Sequence, residues 1–423
     1  MYSTLSITTD TVSAAPVLPP SPFQPIDLSV PLCILVSPTV LPPEAAPAPL
    51  TIAQCFAEVP DPRHAAFRHH HRLSDILLIA LTATLSGCKS WEAIAGFGTA
   101  KEAWFRSLGL QLPNSIPSHD TFRDIFARMN PRAFQEAFTS WIHSVCDTLG
   151  VRHIPIDGKT VCGTRGPDGT CLHLVSAWAY EHRLTLAQIA VEDKSNEITA
   201  IPRLLQLLDL QGALVSIDAM GCQKEIAKEI RAGGGDYLLA VKDNQPTLHA
   251  DVETCFVNAF NNDFAGVKHE FFVMEEVSHG RHEERTFTVI YDPEGLRTKN
   301  EWVDLKAIVQ VVRIRRKGDK ESIEVSHFIS SSTAQAKVLA EATRNHWSIE
   351  NNQHWVLDVI FSEDRCRSNH GHAAENLAWM RKMALAVFGQ DKKKGTIPTR
   401  QIQAAADDQY RLYLLNLLCE KSA

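Results

Sequence analysis

The chain has 423 residues, 44% of them hydrophobic and 22% charged, with a formal net charge of −7. That length exceeds one ordinary core, and the composition is that of a soluble globular protein rather than a disordered or fibrous one. The acidic balance gives no sign of a nucleic-acid partner. Ten cysteines without one C-x-x-C pair argue against a zinc ribbon or a disulfide framework and suit a reducing cytosol.

Residues 1–50 carry 11 of the 22 prolines, in runs such as APVLPPSPFQP, and predict an extended, disordered tail. The first basic residue is Arg63, so the charged start of a signal peptide is missing. Five acids and no base precede it; beyond them 42 bases face 44 acids, a near-neutral balance. No apolar run has the length to span a bilayer. A cytoplasmic protein is expected.

Residues 51–150 read as a helical N-terminal domain. LSDILLIALTATLSG (73–87) is a buried helix despite Asp75. In IPSHDTFRDIFARMN, Ser118 and Asp120 are candidate caps ahead of a 3.6-period face of Phe122, Ile125, Phe126 and Met129.

At 151 the pattern changes. Over 151–245 it runs strand, hairpin, helix, strand, helix, strand, which implies a mixed sheet with helices packed on it. Two strands end on an aspartate, IPID at Asp157 and VSID at Asp218. After one helical segment, residues 246–332 hold four alternating strands, a β-rich insertion. Helices resume over 333–390. Residues 391–423 read as a linker and one short helix.

Sites in open α/β sheets form at strand carboxyl ends, and hard divalent cations take carboxylate oxygens. Asp157 and Asp218 are therefore a candidate metal pair, although a single strand-end Asp more often caps a turn. HWSIENNQHWVLDVIFSED (346–364) adds a third acid. Set at about 100° per residue, Ile349, Leu357, Ile360 and Phe361 form one apolar arc beside Glu350. His354 and Asp358 fall on its other side. A carboxylate at that seam is costly without a partner. An ion pair with His346 or His354, or a metal shared with the two aspartates, would satisfy it equally well. The H-E-x-x-H zinc signature, a Walker loop, G-x-G-x-x-G and G-x-S-x-G are absent.

The chain resembles the ISAs1-type insertion-sequence transposases, or H-repeat-associated proteins, within the DDE transposases. The resemblance rests on VPDPR (59–63), LSGCKSWEAIAGFG (85–98), IDGKTV (156–161), SIDAMGCQKEIA (216–227), DYLLAVKDNQPTL (236–248), HGRHEER (279–285) and RNHWSIENNQHWVLDVIFSEDRCR (344–367). With IPSHDTFRDIF (116–126), LVSAW (174–178), KSNEITAIPRLL (194–205) and AAENLAWMRKMAL (373–385), these span about residues 52–390 in order. The resemblance implies an RNase H-like core with the β-rich insertion ahead of the last catalytic helix. It implies Asp157, Asp218 and Glu350 as catalytic, metal-binding acids for two Mg²⁺ or Mn²⁺ ions. The activity implied is DNA cleavage at element ends and 3′-hydroxyl strand transfer. DNA partners would be the element's terminal inverted repeats and the target, held by a homodimer or higher synaptic complex. A domesticated DNA-binding relative and a stand-alone metal-dependent nuclease are the alternatives. Lys159, Lys242 and Arg344 are candidate phosphate contacts, with Trp347 and His354 beside them. Trp347 and Trp355 can stack on an extruded base, though core packing is the commoner role. Asp358, Glu363 and Asp364 are expected to be structural or supporting. The family pattern has Arg where this chain has Cys162.

Overall fold

In the computed structural model, residues 52–64, 70–146, 151–166, 169–191, 197–278 and 280–417 are described. The proline-rich tail predicted over 1–50 lies outside them. Six helices come first: α1 (Ile52–Ala57), α2 (Leu73–Leu85), α3 (Trp91–Ala100), α4 (Glu102–Ser107), α5 (His119–Arg128) and α6 (Pro131–Cys146). Ser118 caps α5, its side chain accepting from the Thr121 N–H, and Phe122, Ile125, Phe126 and Met129 are all buried.

The sheet has nine strands: β1 (His153–Val161), β2 (Leu172–Ala179), β3 (Leu184–Val191), β4 (Leu214–Ile217), β5 (Asp236–Val241), β6 (His269–Ser278), β7 (Arg281–Tyr291), β8 (Ala307–Lys317) and β9 (Lys320–Ser330). Their order is β3-β2-β1-β4-β5-β9-β8-β7-β6. β2 and β3 form the expected antiparallel hairpin, β1, β4 and β5 run parallel, and β9 returns antiparallel to β5. The first five strands make the RNase H-like arrangement, α/β with helices on the sheet. The β-rich insertion continues that sheet, because β9 takes up the backbone edge that β5 would otherwise leave unpaired.

α7 (Glu197–Leu205) and α8 (Lys224–Ala232) connect the parallel strands, and α9 (Pro246–Asn261) leads into the extension. α10 (Ala336–His346) and α11 (Trp355–Val359) follow it, then α12 (Ala373–Gln390). Apolar on nearly every side, α12 is buried from Ala373 to Phe388 apart from two half-buried positions. Its buried Asn376 donates to the carbonyls of Phe126 and Met129, 2.8 Å each, and so satisfies the open end of α5. Trp379 packs 4.9 Å from Phe138 of α6. The N-terminal helices thus share one core with the helix behind the sheet. No helix among the described residues is long and apolar enough to cross a membrane.

The C-terminal segment differs from expectation. Two helices form there, α13 (Ile397–Ala406) and α14 (Asp408–Asn416). Thr396 and Asp407 cap them, and buried Arg411 donates to the Ala404 carbonyl, pinning one to the other.

Candidate active site

β1 and β4 are in register with Ile156 opposite Ile217. The next residues, Asp157 and Asp218, therefore stand at one level of the sheet, about 4.8 Å apart by strand spacing. The apolar runs before them follow from central parallel strands, which are covered on both faces. Asp218 does end its strand. Asp157 does not: β1 continues to Val161, because it keeps pairing with β2 from Asp157↔Ser176 to Val161↔Leu172 after β4 has stopped. Its carboxylate emerges where the parallel ladder ends, which the apolar run marks as clearly as a strand end would.

Asp218 Oδ1 accepts from the N–H groups of Met220 (3.1 Å) and Gly221 (3.3 Å) and caps the turn they form. Asp157 Oδ1 accepts from the Gly158 N–H at 2.8 Å. Position 158 needs glycine, since a Cβ there would lie 2.4 Å from Glu197 Oε1 and 2.8 Å from His173 Nε2. Those two atoms are hydrogen-bonded to each other at 2.6 Å beneath the strand.

Glu350 comes from a segment that departs from the predicted α-helix. Residues Ile349–His354 form a π-helical turn, with the Trp355 N–H bonded to the Glu350 carbonyl, before α11 resumes. Such wide turns are rare and recur at functional sites. Ile349, Leu357 and Phe361 are buried as the wheel predicts, and Ile360 partly so. The wide turn also rotates two polar residues onto the sheet. Buried Gln353 donates to Thr185 Oγ1 of β3 at 3.0 Å, and His354 Nδ1 comes within 3.6 Å of Asp157 Oδ2. Glu350 itself stays exposed, as does Asp218.

Neither histidine pairs with Glu350. His346 Nδ1 bonds Ser216 Oγ at 2.9 Å, and that hydroxyl also bonds His153 Nε2 at 2.8 Å. Burial, reinforced by nearby cations, pushes His354 down to about 3, so it is neutral. The acids face one another instead. Burial first, then repulsion from Asp218, Glu350 and Glu197, pushes Asp157 up to about 7. Glu350 is raised by desolvation and by Asp218. This donor set suits hard divalent cations: three carboxylates share one cleft, the His354 ring beside Asp157 is neutral, and their repulsion is what such an ion relieves. The three do not meet around a single ion-sized point. Among the described residues, the set of three with ligand atoms all within 4.8 Å is His249, Glu253 and His327.

The other candidates fall differently. Lys159 is only 8% exposed, with its Nζ 2.7 Å from Asp358, 3.2 Å from Glu363 and 3.3 Å from Asp364. Burial opposes its charge, but the three acids outweigh that and hold its pKa above the ordinary lysine value. It is thereby enclosed by carboxylates and not presented to a phosphate, which corrects its reading as a DNA contact. This cluster gives Asp358, Glu363 and Asp364 their role. They tie the chain after the π turn back to β1, where Asp364 also accepts from the Cys162 N–H at 3.1 Å. A Cβ at Gly163 would lie 2.5 Å from the Asp364 carbonyl oxygen, so glycine permits that close approach. Lys242, just past β5 at the same sheet edge, is exposed.

Arg344 and Trp347 line a groove of about 410 Å³ between α10 and the extension. Arg281, Arg285, Arg313 and Arg315 share it with Glu276, Glu283 and Glu324, so five arginines face three glutamates. Trp347 is 50% and Trp355 55% exposed, which removes both from the core. A larger cavity of about 870 Å³ near the start of α12 includes none of the three acids, so cavity size does not mark the site.

The family model described as "Transposase DDE domain" matches residues 150–387, and one described as "DDE_Tnp_1-associated" matches residues 53–142. "Putative transposase YncI" of Escherichia coli O157:H7 is 39% identical over 83% of this chain and 91% of its own length. "H repeat-associated putative transposase YhhI" of Escherichia coli K12 is 37% identical over 85% and 95%. Among solved structures, the piggyBac transposase synaptic complex with hairpin DNA covers 84% of this chain and 74% of its own, at 9% identity and TM-score 0.39.

Proposed function

The chain belongs to the DDE transposases, alongside the H-repeat-associated proteins, and from that premise we propose that it cleaves DNA at the ends of its own element. It then joins the freed 3′-hydroxyl to target DNA, with Asp157, Asp218 and Glu350 as the acids of the reaction. The observation that carries this reading is the register Ile156↔Ile217, which sets two aspartates side by side, with Glu350 near enough to raise Asp157. Two Mg²⁺ or Mn²⁺ ions held by the three acids would supply Lewis-acid stabilisation of the attacking and leaving oxygens.

The chain's own groups do the rest. Asp157 is fixed by the Gly158 N–H, and Asp218 by the turn it caps, so each keeps its second oxygen available. The neutral His354 ring covers one side of Asp157 without competing for its charge. The π turn holds Glu350 exposed above the sheet while Gln353 anchors it to β3. The arginine groove beside Trp347 is the proposed track for a DNA strand, with Lys242 as a phosphate contact on the other flank. Two element ends have to be handled together, which calls for a dimer or a higher synaptic complex.

The test is a labelled duplex carrying the element's terminal repeat, incubated with the purified chain and Mg²⁺ or Mn²⁺. Wild type should give a nicked end and a strand-transfer product. Glu350→Gln should bind the duplex normally and give neither. Undiminished cleavage by Glu350→Gln would remove the catalytic assignment, and cleavage without joining would return the chain to a nuclease.

A further inference from the structure

Outside the acidic centre, one group of three side chains, all among the described residues, converges on a point with no hydrogen bond between its members. His249 and Glu253 lie four residues apart on α9, hence on one helix face. His327 lies on β9 opposite Val241 of β5, where that helix packs against the sheet. One ligand atom from each lies within 4.8 Å of the other two. The imidazole centres are 5.4 Å apart, and His249 Nε2 is 3.7 Å from Glu253 Oε1, beyond hydrogen-bond reach.

His327 is 4% exposed, its ring stacked 5.9 Å from Phe256, with Nε2 3.1 Å from the side-chain amide of Gln310 on β8. The amide atom placed there is nitrogen; turned over, the amide would present its oxygen, and the His327 ring would donate Nε2–H to it. The tautomer is then fixed and Nδ1 keeps its lone pair, the usual support behind a metal-bound histidine. Glu253 and His249 reach solvent, which leaves a path of entry.

We propose that His249, Glu253 and His327 form a transition-metal site, separate from Asp157, Asp218 and Glu350, that clips α9 to β9. Two imidazoles and one carboxylate select a zinc-class ion over Mg²⁺ or Ca²⁺, and three protein ligands leave a position for water. The clip sits at the root of the four-strand extension, where the chain leaves β5 and where β9 returns to it. Its occupancy stiffens the joint between the RNase H-like strands and the arginine groove. The site does not depend on the transposase reading.

The experiment uses the full chain, stripped with chelator and titrated with Co²⁺ in place of Zn²⁺. A visible ligand-field band at one ion per chain is expected, with a rise in Tm on adding Zn²⁺. His249→Gln, at a partly exposed position, should keep the fold by circular dichroism and weaken Co²⁺ binding by about 100-fold or more; Gln310→Ala should weaken it by about 10–100-fold. Asp157→Asn should leave the band unchanged. No band in wild type, or a band that survives both His249→Gln and His327→Gln, overturns the site.

Discussion

The floor of the acidic cleft and the outer half of the extension are both rich in charge, but they handle it in opposite ways. At the cleft, Asp157, Asp218, Glu350 and Glu197 are like charges gathered together, and burial, with their repulsion added, pushes Asp157 up to about 7. On the extension, opposite charges pair: Arg313 with Glu324 and Arg315 with Glu283 across the ladder, and Arg344 of α10 with Glu276 of β6 at 2.9 Å. There Glu276 is lowered, first by its hydrogen bond from Arg344. A folded chain satisfies its charges internally where it can. Where it leaves carboxylates crowded at the end of a parallel ladder, with Glu197 taken up by His173, the arrangement is one that a bound cation would relieve.

The largest expected effect follows at Asp157. Asp157→Asn should reduce cleavage by about 10³-fold or more, since it removes a share of several kcal/mol of charge stabilisation in the transition state. The same substitution should help the fold in chelator. Between the ordinary aspartate value of 3.8 and about 7, the folded wild-type protein keeps a proton that the unfolded chain has lost. Folding stability therefore falls as pH rises through that window. The Tm of wild type in chelator should decline across it more steeply than that of Asp157→Asn. Parallel curves would mean that neither burial nor the neighbouring acids raise Asp157.

Next in size is Lys159→Ala. Removing the ammonium takes from fully buried Glu363 its nearest counter-charge at 3.2 Å, leaving Arg381 at 3.9 Å and the more distant Lys382. Breaking a buried pair costs about 3–5 kcal/mol, read as a large drop in Tm and in the urea midpoint. A surface role in DNA binding would instead leave stability alone and weaken affinity, so the two readings of Lys159 separate cleanly.

The three candidate acids are legible in the sequence; their surroundings are not. An apolar run that stops at an aspartate is a local signal, and it located Asp157 and Asp218 although one of them lies within its strand. Glu350 was visible as a carboxylate on the seam of an apolar arc. The π turn was not, because nothing in IENNQH distinguishes it from an ordinary helix; it accompanies a contact from Gln353 to Thr185 on a strand 168 positions away. Lys159 looked like a surface base for the same reason, since its three acids come from 358–364. The metal clip needs His327 brought beside α9 by a strand pairing that spacing cannot reveal.

Trp347→Ala should have a smaller, selective effect. If a base from a distorted or single-stranded end stacks on this half-exposed ring, its loss costs about 1–3 kcal/mol of affinity for that substrate. Intact duplex should be bound nearly as before, and the Tm should hardly move. Equal loss on both substrates would place Trp347 in the groove wall instead of against a base.

The smallest expected effect tests the other side of the contrast. Arg313 pairs with Glu324, whose side chain is 58% exposed, at the outer end of β8 and β9. An exposed pair of this kind contributes less than about 1 kcal/mol, so Arg313→Ala should leave the Tm close to wild type. Its effect should appear in DNA binding. One phosphate contact fewer lowers the slope of log affinity against log salt by about 1, equally for all sequences. A charge ladder that exists to stabilise the sheet would give the reverse, a lower Tm with an unchanged salt slope. The groove would then be a structural seam, and the DNA track would have to run elsewhere along the cleft.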